Sequence, residues 1–260
     1  MGFGNIMNNT ISEEKAYRII QEFLYEIRAI DDHGILALYV IGSLGGGYYR
    51  PGRSDIDTII IVRDNAVITQ PQTDDIAEKY HKKYDVPKGF GSVLIHEAEL
   101  SSPYTKSETD ELEFTVEIAR LKTQGKAIYN SIALDRVQMP TREDFIKDAL
   151  IMERWFHKEF GYPMFDKLKI TGCINCILGC MRRYLMIEKG IFEFNKFKTI
   201  DVYLKNDPPL EDKNVFNIIQ RELKGEILVD DSDLSKLQVF GIKFRDYFNQ
   251  RLLNVDSRTV

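Results

Sequence analysis

The sequence is poor in the residues that mark secreted, disulfide-stapled or nucleic-acid-coating proteins. Only three of its 260 residues are cysteine, an odd number, and all lie between Cys173 and Cys180. A disulfide framework is therefore not expected. No excess of basic residues is present: 35 Lys and Arg stand against 40 Asp and Glu, a formal net charge of −5. Phosphate neutralisation needs clustered Lys and Arg, so this balance argues against a nucleic-acid partner while suiting a small, cationic substrate. No apolar run approaches the ~20 residues that span a bilayer, which argues against a membrane partner. The segment Met1–Asn9 lacks the basic and apolar regions of a secretory signal. These absences make the cytoplasm the expected location, and none of them speaks to oligomeric state.

What is present suits a globular protein with a sizeable core, with 43% hydrophobic and 29% charged residues. The first half alternates two periodicities. Tyr17, Ile20, Phe23, Leu24 and Ile27 recur at helical spacing behind Ser12, a good N-cap followed by acidic residues. Short apolar runs at 36–41, 56–62 and 92–96 predict strands, and 74–84 predicts a helix between the second and third. From Thr141 onward the pattern is helical: four segments, 141–160, 169–189, 210–223 and 233–253, are separated by Gly161, Gly190, Gly225 and Pro208-Pro209. The expected fold class is α+β. A mixed sheet with flanking helices over residues 1–135 precedes a helical bundle over 136–260.

Gly42 to Asp57 reads GSLGGGYYRPGRSDID and lies between two strand candidates. Gly-Ser ends the first strand and Asp-x-Asp opens the next, where a period of two puts Asp55 and Asp57 on one face. Two carboxylates side by side repel unless a cation neutralises them. Mg²⁺ suits such a pair, because it takes one or two carboxylates and completes its shell with phosphate oxygens and water. The Gly-Ser turn lets backbone N–H groups and a hydroxyl approach phosphate oxygens closely. The glycines match neither a P-loop, which ends in Gly-Lys-Ser/Thr, nor the G-x-G-x-x-G dinucleotide spacing.

This segment resembles the signature of the DNA polymerase beta-like nucleotidyltransferase superfamily. Within it, the chain is most similar to the bacterial aminoglycoside adenylyltransferases that modify streptomycin and spectinomycin. It resembles them in length and in pairing a nucleotidyltransferase domain with a C-terminal helical domain. Arg182-Arg183-Tyr184-Leu185, Lys189-Gly190 and Lys196-Phe197-Lys198 add a looser likeness to their C-terminal helix, glycine and lysine. The resemblance implies ATP as substrate, with Gly42 and Ser43 at its phosphates and Mg²⁺ on Asp55 and Asp57. It also implies Lys196 or Lys198 as a nucleotide contact, and Arg53, in the loop, is a candidate phosphate clamp. The superfamily places a third carboxylate on the next core strand, but residues 90–96 carry none. Glu97 and Glu99 follow just beyond, and Glu97 is the candidate taken here.

The expected reaction is transfer of AMP to a hydroxyl of a small molecule such as an aminoglycoside. Two alternatives share the same residues. One is transfer to a protein side chain or an RNA end, as in minimal nucleotidyltransferases paired with helical toxin partners. The other is a non-catalytic nucleotide-binding module. Cys173, Cys176 and Cys180 have a spacing that invites a metal, yet offsets of three and seven fall on one helical stripe, which predicts core packing. Trp155, Phe156 and His157 are read as core or surface, and His96 as the better functional histidine, near the cleft. Glu108, Asp110, Glu111, Glu113 and Glu117 read as a solvated helix face or an acidic lip for a polycation.

Overall fold

The computed structural model describes residues 10–100, 114–130, 132, 134, 137–161, 164–226 and 229–254. The chain forms two compact units, one from Met1–Ser102 with Ile118–Met139 and the other from Pro103–Glu117 with Pro140–Val260. The second unit therefore takes in a stretch ahead of residue 135 that sequence pattern assigned to the first domain. Helix α4, Phe114–Gln124, runs across the division, and the backbone N–H of Thr115 donates to Asp148 at 3.1 Å within the second unit.

The first unit is built on a four-stranded mixed sheet in the order β3-β2-β1-β4. Strand β1 (Ile35–Val40) pairs antiparallel with β2 (Ile56–Val62) and with β4 (Lys126–Tyr129), while β2 and β3 (Phe90–His96) run parallel. The parallel pair is joined through α3 (Gln70–Tyr84), as a crossover requires. Helix α1 (Glu13–Asp31) begins at Ser12, whose Oγ accepts from the Lys15 N–H at 3.2 Å. Its apolar stripe, including Ile20, Phe23 and Ile27, buries against Ile56, Ile60 and Val62 of β2 and Leu38 and Val40 of β1. Residues of the opposite parity, Ile59 and Ile61, are also fully buried, so β2 is covered on both sides. Edge strand β3 is protected by Gln70 at the start of α3. Its Nε2 donates to the Ser92 carbonyl and its Oε1 accepts from the Leu94 N–H, both at 2.7 Å.

The second unit is helical. Helices α5 (Arg142–Phe160), α6 (Ile170–Tyr184), α7 (Lys196–Leu204), α8 (Lys213–Lys224) and α9 (Asp231–Phe248) gather around one core, with Tyr203, Phe216, Phe240 and Phe244 at its centre. Thr141 and Asp144 cap α5 reciprocally. Helices α6 and α9 each end in a π-helical turn, Leu185–Lys189 and Asn249–Leu253. Cys173 and Cys180 are buried in the core along α6. The 20 residues Ile170–Lys189 are long and apolar enough to cross a bilayer, contrary to the sequence expectation, and 56% of the 18-residue apolar window within them is buried inside the protein. Packing accounts for its apolarity.

Candidate active site

The residues of the Gly-Ser and Asp-x-Asp motifs meet at one end of the β1–β2 pair. The ladder carries past the last residue of β1: the Ile41 N–H donates to the Asp57 carbonyl at 3.0 Å. That bond sets Gly42 beside Asp57. Gly42 has φ of +62°, and a Cβ there would collide with the Asp57 carboxylate. Only a residue without a side chain takes this backbone cheaply and leaves the carboxylate its space. The chain then makes a single helical turn, α2 (Gly42–Gly45). Gly45 is tied by crowding, because a Cβ would lie 2.5 Å from the Val40 carbonyl oxygen and 2.8 Å from that of Gln124.

Ser43 opens this turn. It is 8% exposed, and its Oγ has no hydrogen-bond partner among the described residues. A buried hydroxyl without a partner is costly, so the turn holds a polar atom in want of a ligand oxygen. Asp55 and Asp57 are both half-buried, two residues apart on the extended approach to and start of β2. Burial, then the negative charges of Asp55 and Glu13, hold the Tyr49 hydroxyl above its usual pKa. That hydroxyl donates to the Ile11 carbonyl at 3.2 Å. Loop 50–54 is closed by its own bonds: the Ser54 N–H donates to the Arg50 carbonyl at 2.9 Å, and the Arg50 N–H donates to Ser54 Oγ at 2.9 Å. Arg53 stands exposed on this loop, directly before Ser54 and Asp55.

The parallel register decides which further groups accompany the pair. Asp57 pairs with Gly91, and a Cβ on Gly91 would lie 3.3 Å from Asp57 Oδ1. The β3 position facing the carboxylate pair therefore has no side chain at all. Glu97 and His96 are not brought to Asp57. Val62 pairs with His96, and Glu97 opens the helical turn Glu97–Leu100 past the far end of β3. At ~3.3 Å per residue, Glu97 lies roughly 20 Å along the strand from Gly91. His96 Nδ1 instead faces the Arg63 carbonyl at 3.3 Å, and Glu99 accepts from the His96 N–H at 2.8 Å. The sequence shows the strand but not its direction, and a parallel β3 carries both candidates away from the aspartates.

Lys196 and Lys198 belong to the second unit, in the first turn of α7 after the Asn195 N-cap. The Lys196 ammonium lies 5.7 Å from the centre of the Phe197 ring. Trp155, Phe156 and Phe160 form an aromatic cluster, with Trp155 5.0 Å and 6.0 Å from the other two. Glu108, Asp110, Glu111 and Glu113 lie outside the described residues, whereas Glu117 is buried on α4 and is not on a solvated face. Among the described residues no group of three or more His, Cys, Asp or Glu side chains gathers as a metal cluster. The two-carboxylate arrangement nevertheless fits Mg²⁺, which uses phosphate and water oxygens for the rest of its shell.

No protein-family model matches the chain. Among solved structures, it resembles spectinomycin adenyltransferase AAD(9) from Enterococcus faecialis, solved with ATP and spectinomycin. The TM-score is 0.62 at 15% identity, covering 88% of this chain and 98% of that one. Two toxin–antitoxin structures, one with AMP-PNP, match 55% and 54% of the chain with a TM-score of 0.28 each, at 17% and 15% identity, covering 89% and 88% of theirs. The likeness to AAD(9) extends over both units, and the chain shares its α+β fold with that adenyltransferase.

Proposed function

We propose that this protein is an adenylyltransferase that moves AMP from ATP to a hydroxyl of a small molecule, an aminoglycoside being the favoured class. The observation that carries this reading is the juxtaposition of Gly42, the buried Ser43 hydroxyl and the Asp55/Asp57 carboxylates on one strand end. The fold likeness to an adenyltransferase solved with ATP and spectinomycin supports it. So does the net charge of −5, which suits a polycationic acceptor better than an RNA end. The same reading makes the two units a catalytic and a helical domain, places the protein in the cytoplasm and makes antibiotic resistance its physiological outcome.

In this mechanism Asp55 and Asp57 would hold Mg²⁺, which would neutralise charge on the triphosphate. The turn at Gly42 and Ser43 supplies its hydroxyl and N–H groups to phosphate oxygens, and Arg53 approaches them from the loop. The family resemblance read from the sequence assigns a nucleotide contact to Lys196 or Lys198. The acceptor hydroxyl oxygen bonds to the α-phosphorus in line as its O–H bond breaks and the proton passes to solvent, while the bond from the α-phosphorus to the bridging oxygen breaks and pyrophosphate departs. Glu97 has no part in this scheme, because β3 carries it to the other end of the sheet.

The test is pyrophosphate release from ATP and Mg²⁺ across an aminoglycoside panel that includes spectinomycin and streptomycin. Acceptor-dependent release, lost in Asp57→Asn with the circular dichroism unchanged, supports the reading. Full activity in Asp57→Asn refutes the carboxylate assignment. The bare Gly91 beside Asp57 favours one second reading, a nucleotide-binding module without turnover. Mg²⁺-dependent ATP binding with no pyrophosphate from any acceptor, protein and RNA ends included, would select it.

A further inference from the structure

The helical unit holds a cavity that the nucleotide chemistry does not use. It measures about 170 Å³ and lies between α5, α6, α9 and the turn Met164–Lys167. Its lining includes Asn175, an exposed residue of α6, and Gly179 one turn further on. A Cβ added at Gly179 would meet no side chain closer than 3.8 Å, where Arg183 Nη1 lies.

The charged groups on its wall, Glu153, Arg183 and Arg245, are already engaged. Arg245 Nε donates to Glu153 Oε2 at 2.6 Å, and Asn249 Nδ2 donates to the same oxygen at 2.9 Å. Arg183 has an interaction of its own. Arg245 Nη2 lacks an acceptor among the described residues, but it is fully buried and offers no surface to the cavity. The wall therefore selects no counter-ion, and a charged ligand would give up its hydration without a fixed partner in return.

What remains to be covered is apolar and rich in sulfur. Met152, Met164, Cys176 and Cys180 bring four sulfur-bearing side chains to the lining, and Phe156 and Phe165 add two rings. Sulfur is polarisable and favours the edge of an aromatic ring, and rings favour one another in tilted or offset pairs. Both preferences act beyond simple burial, so this wall suits an aromatic guest better than an aliphatic one. Size sets the number of rings. An apolar cavity of about 150 Å³ stays dry and takes one benzene ring, whereas sites for drug-sized ligands begin at roughly 300 Å³. We propose that this cavity binds an uncharged single-ring aromatic molecule, packed against Phe156, Phe165 and the four sulfurs.

The experiment uses the full chain with toluene as the probe, read by Tm and by the methyl NMR signals of the methionines. Benzoate tests the exclusion of charge, and methylcyclohexane tests the preference for an aromatic ring. Toluene should raise Tm and bind saturably, at least tenfold more tightly than benzoate and threefold more tightly than methylcyclohexane. It should shift the Met152 and Met164 methyl signals and leave that of Met186, which does not line the cavity, unmoved. Gly179→Leu, which adds bulk at the lining and favours the helix, should weaken toluene binding at least tenfold. If that variant fails to fold, the methyl signals of the unaltered protein decide. No saturable toluene binding overturns the proposal, as does equal binding of benzoate or methylcyclohexane. So would binding that leaves the Met152 and Met164 signals in place, or unchanged affinity in a folded Gly179→Leu protein.

Discussion

The carboxylate of Asp57 occupies the space that a side chain on Gly42 would fill. The two residues are 15 apart in sequence, and the ladder bond from the Ile41 N–H to the Asp57 carbonyl holds them together. A change at Gly42 is thus a change at the carboxylate pair. Gly42→Ala meets two penalties: a positive φ, costing about 1–2 kcal/mol for a residue with a Cβ, and displacement of Asp57. A misplacement of about 1 Å at a reacting centre can cost on the order of 100-fold in rate. We expect Gly42→Ala to fold with a stability loss of that size in urea melts and to lose about 100-fold in pyrophosphate release. Activity within a few-fold of wild type would show that Asp57 need not sit where the structure holds it.

Gln70 offers a test of the sheet edge that leaves the site alone. Its side chain receives the Leu94 N–H and donates to the Ser92 carbonyl, so two ladder groups of β3 depend on it. Gln70→Ala leaves both to water. The expected cost is about 1–3 kcal/mol, with faster hydrogen exchange at the Leu94 amide and little change at the β1–β2 amides. Uniformly faster exchange throughout the unit would show instead that β3 opens only when the whole sheet does.

The meeting of the two motifs was more legible in sequence than their surroundings were. Gly42-Ser43 and Asp55-x-Asp57 could be joined because both lie at the ends of adjacent strands, so local pattern alone brought them together. Glu97 and His96 were misplaced because strand propensity carries no direction: the same β3 run antiparallel would have reversed its ends. Helix α7 escaped detection because Thr199, Ile200 and Val202 read as strand formers. The Asn195 cap and the Thr199 Oγ1 bond to the Asn195 carbonyl, at 3.1 Å, override that preference. The pairing of Glu153 with Arg245, 92 residues apart, leaves no periodic signal at all.

That pair is also the strongest point of leverage in the helical unit. Removing Glu153 alone strands the Arg245 charge in the core, and removing one partner of such a pair typically costs about 3–5 kcal/mol. Glu153→Met should therefore lower stability by this amount in urea denaturation. The double replacement Glu153→Met with Arg245→Met should be more stable than either single variant, because no buried charge remains. Additive losses would show that each side chain acts through its own packing rather than through the pair.

The cysteines give the helical unit a defined alkaline limit. Burial pushes the Cys176 and Cys180 thiols up to about 12 and the Cys173 thiol to about 11, against an ordinary value of 9.0. The neutral thiol is the form the fold favours. Below pH 9 both folded and unfolded chains hold these protons, and the stabilisation is complete. Above pH 9 the unfolded chain releases them first, so unfolding gains and stability falls until the folded thiols ionise near pH 12. The loss between pH 9 and 12 should shrink in the Cys176→Ala/Cys180→Ala protein, which lacks two of the three buried thiols, as followed by Tm across that range. Reactivity follows the same cause: at pH 8 a thiol titrating at about 12 is roughly a thousandfold less ionised than one with the ordinary value of 9.0. Iodoacetamide should label the folded protein correspondingly slowly and the urea-unfolded protein at the rate of free cysteine. Fast labelling of the folded chain would place these thiols in water rather than in the core.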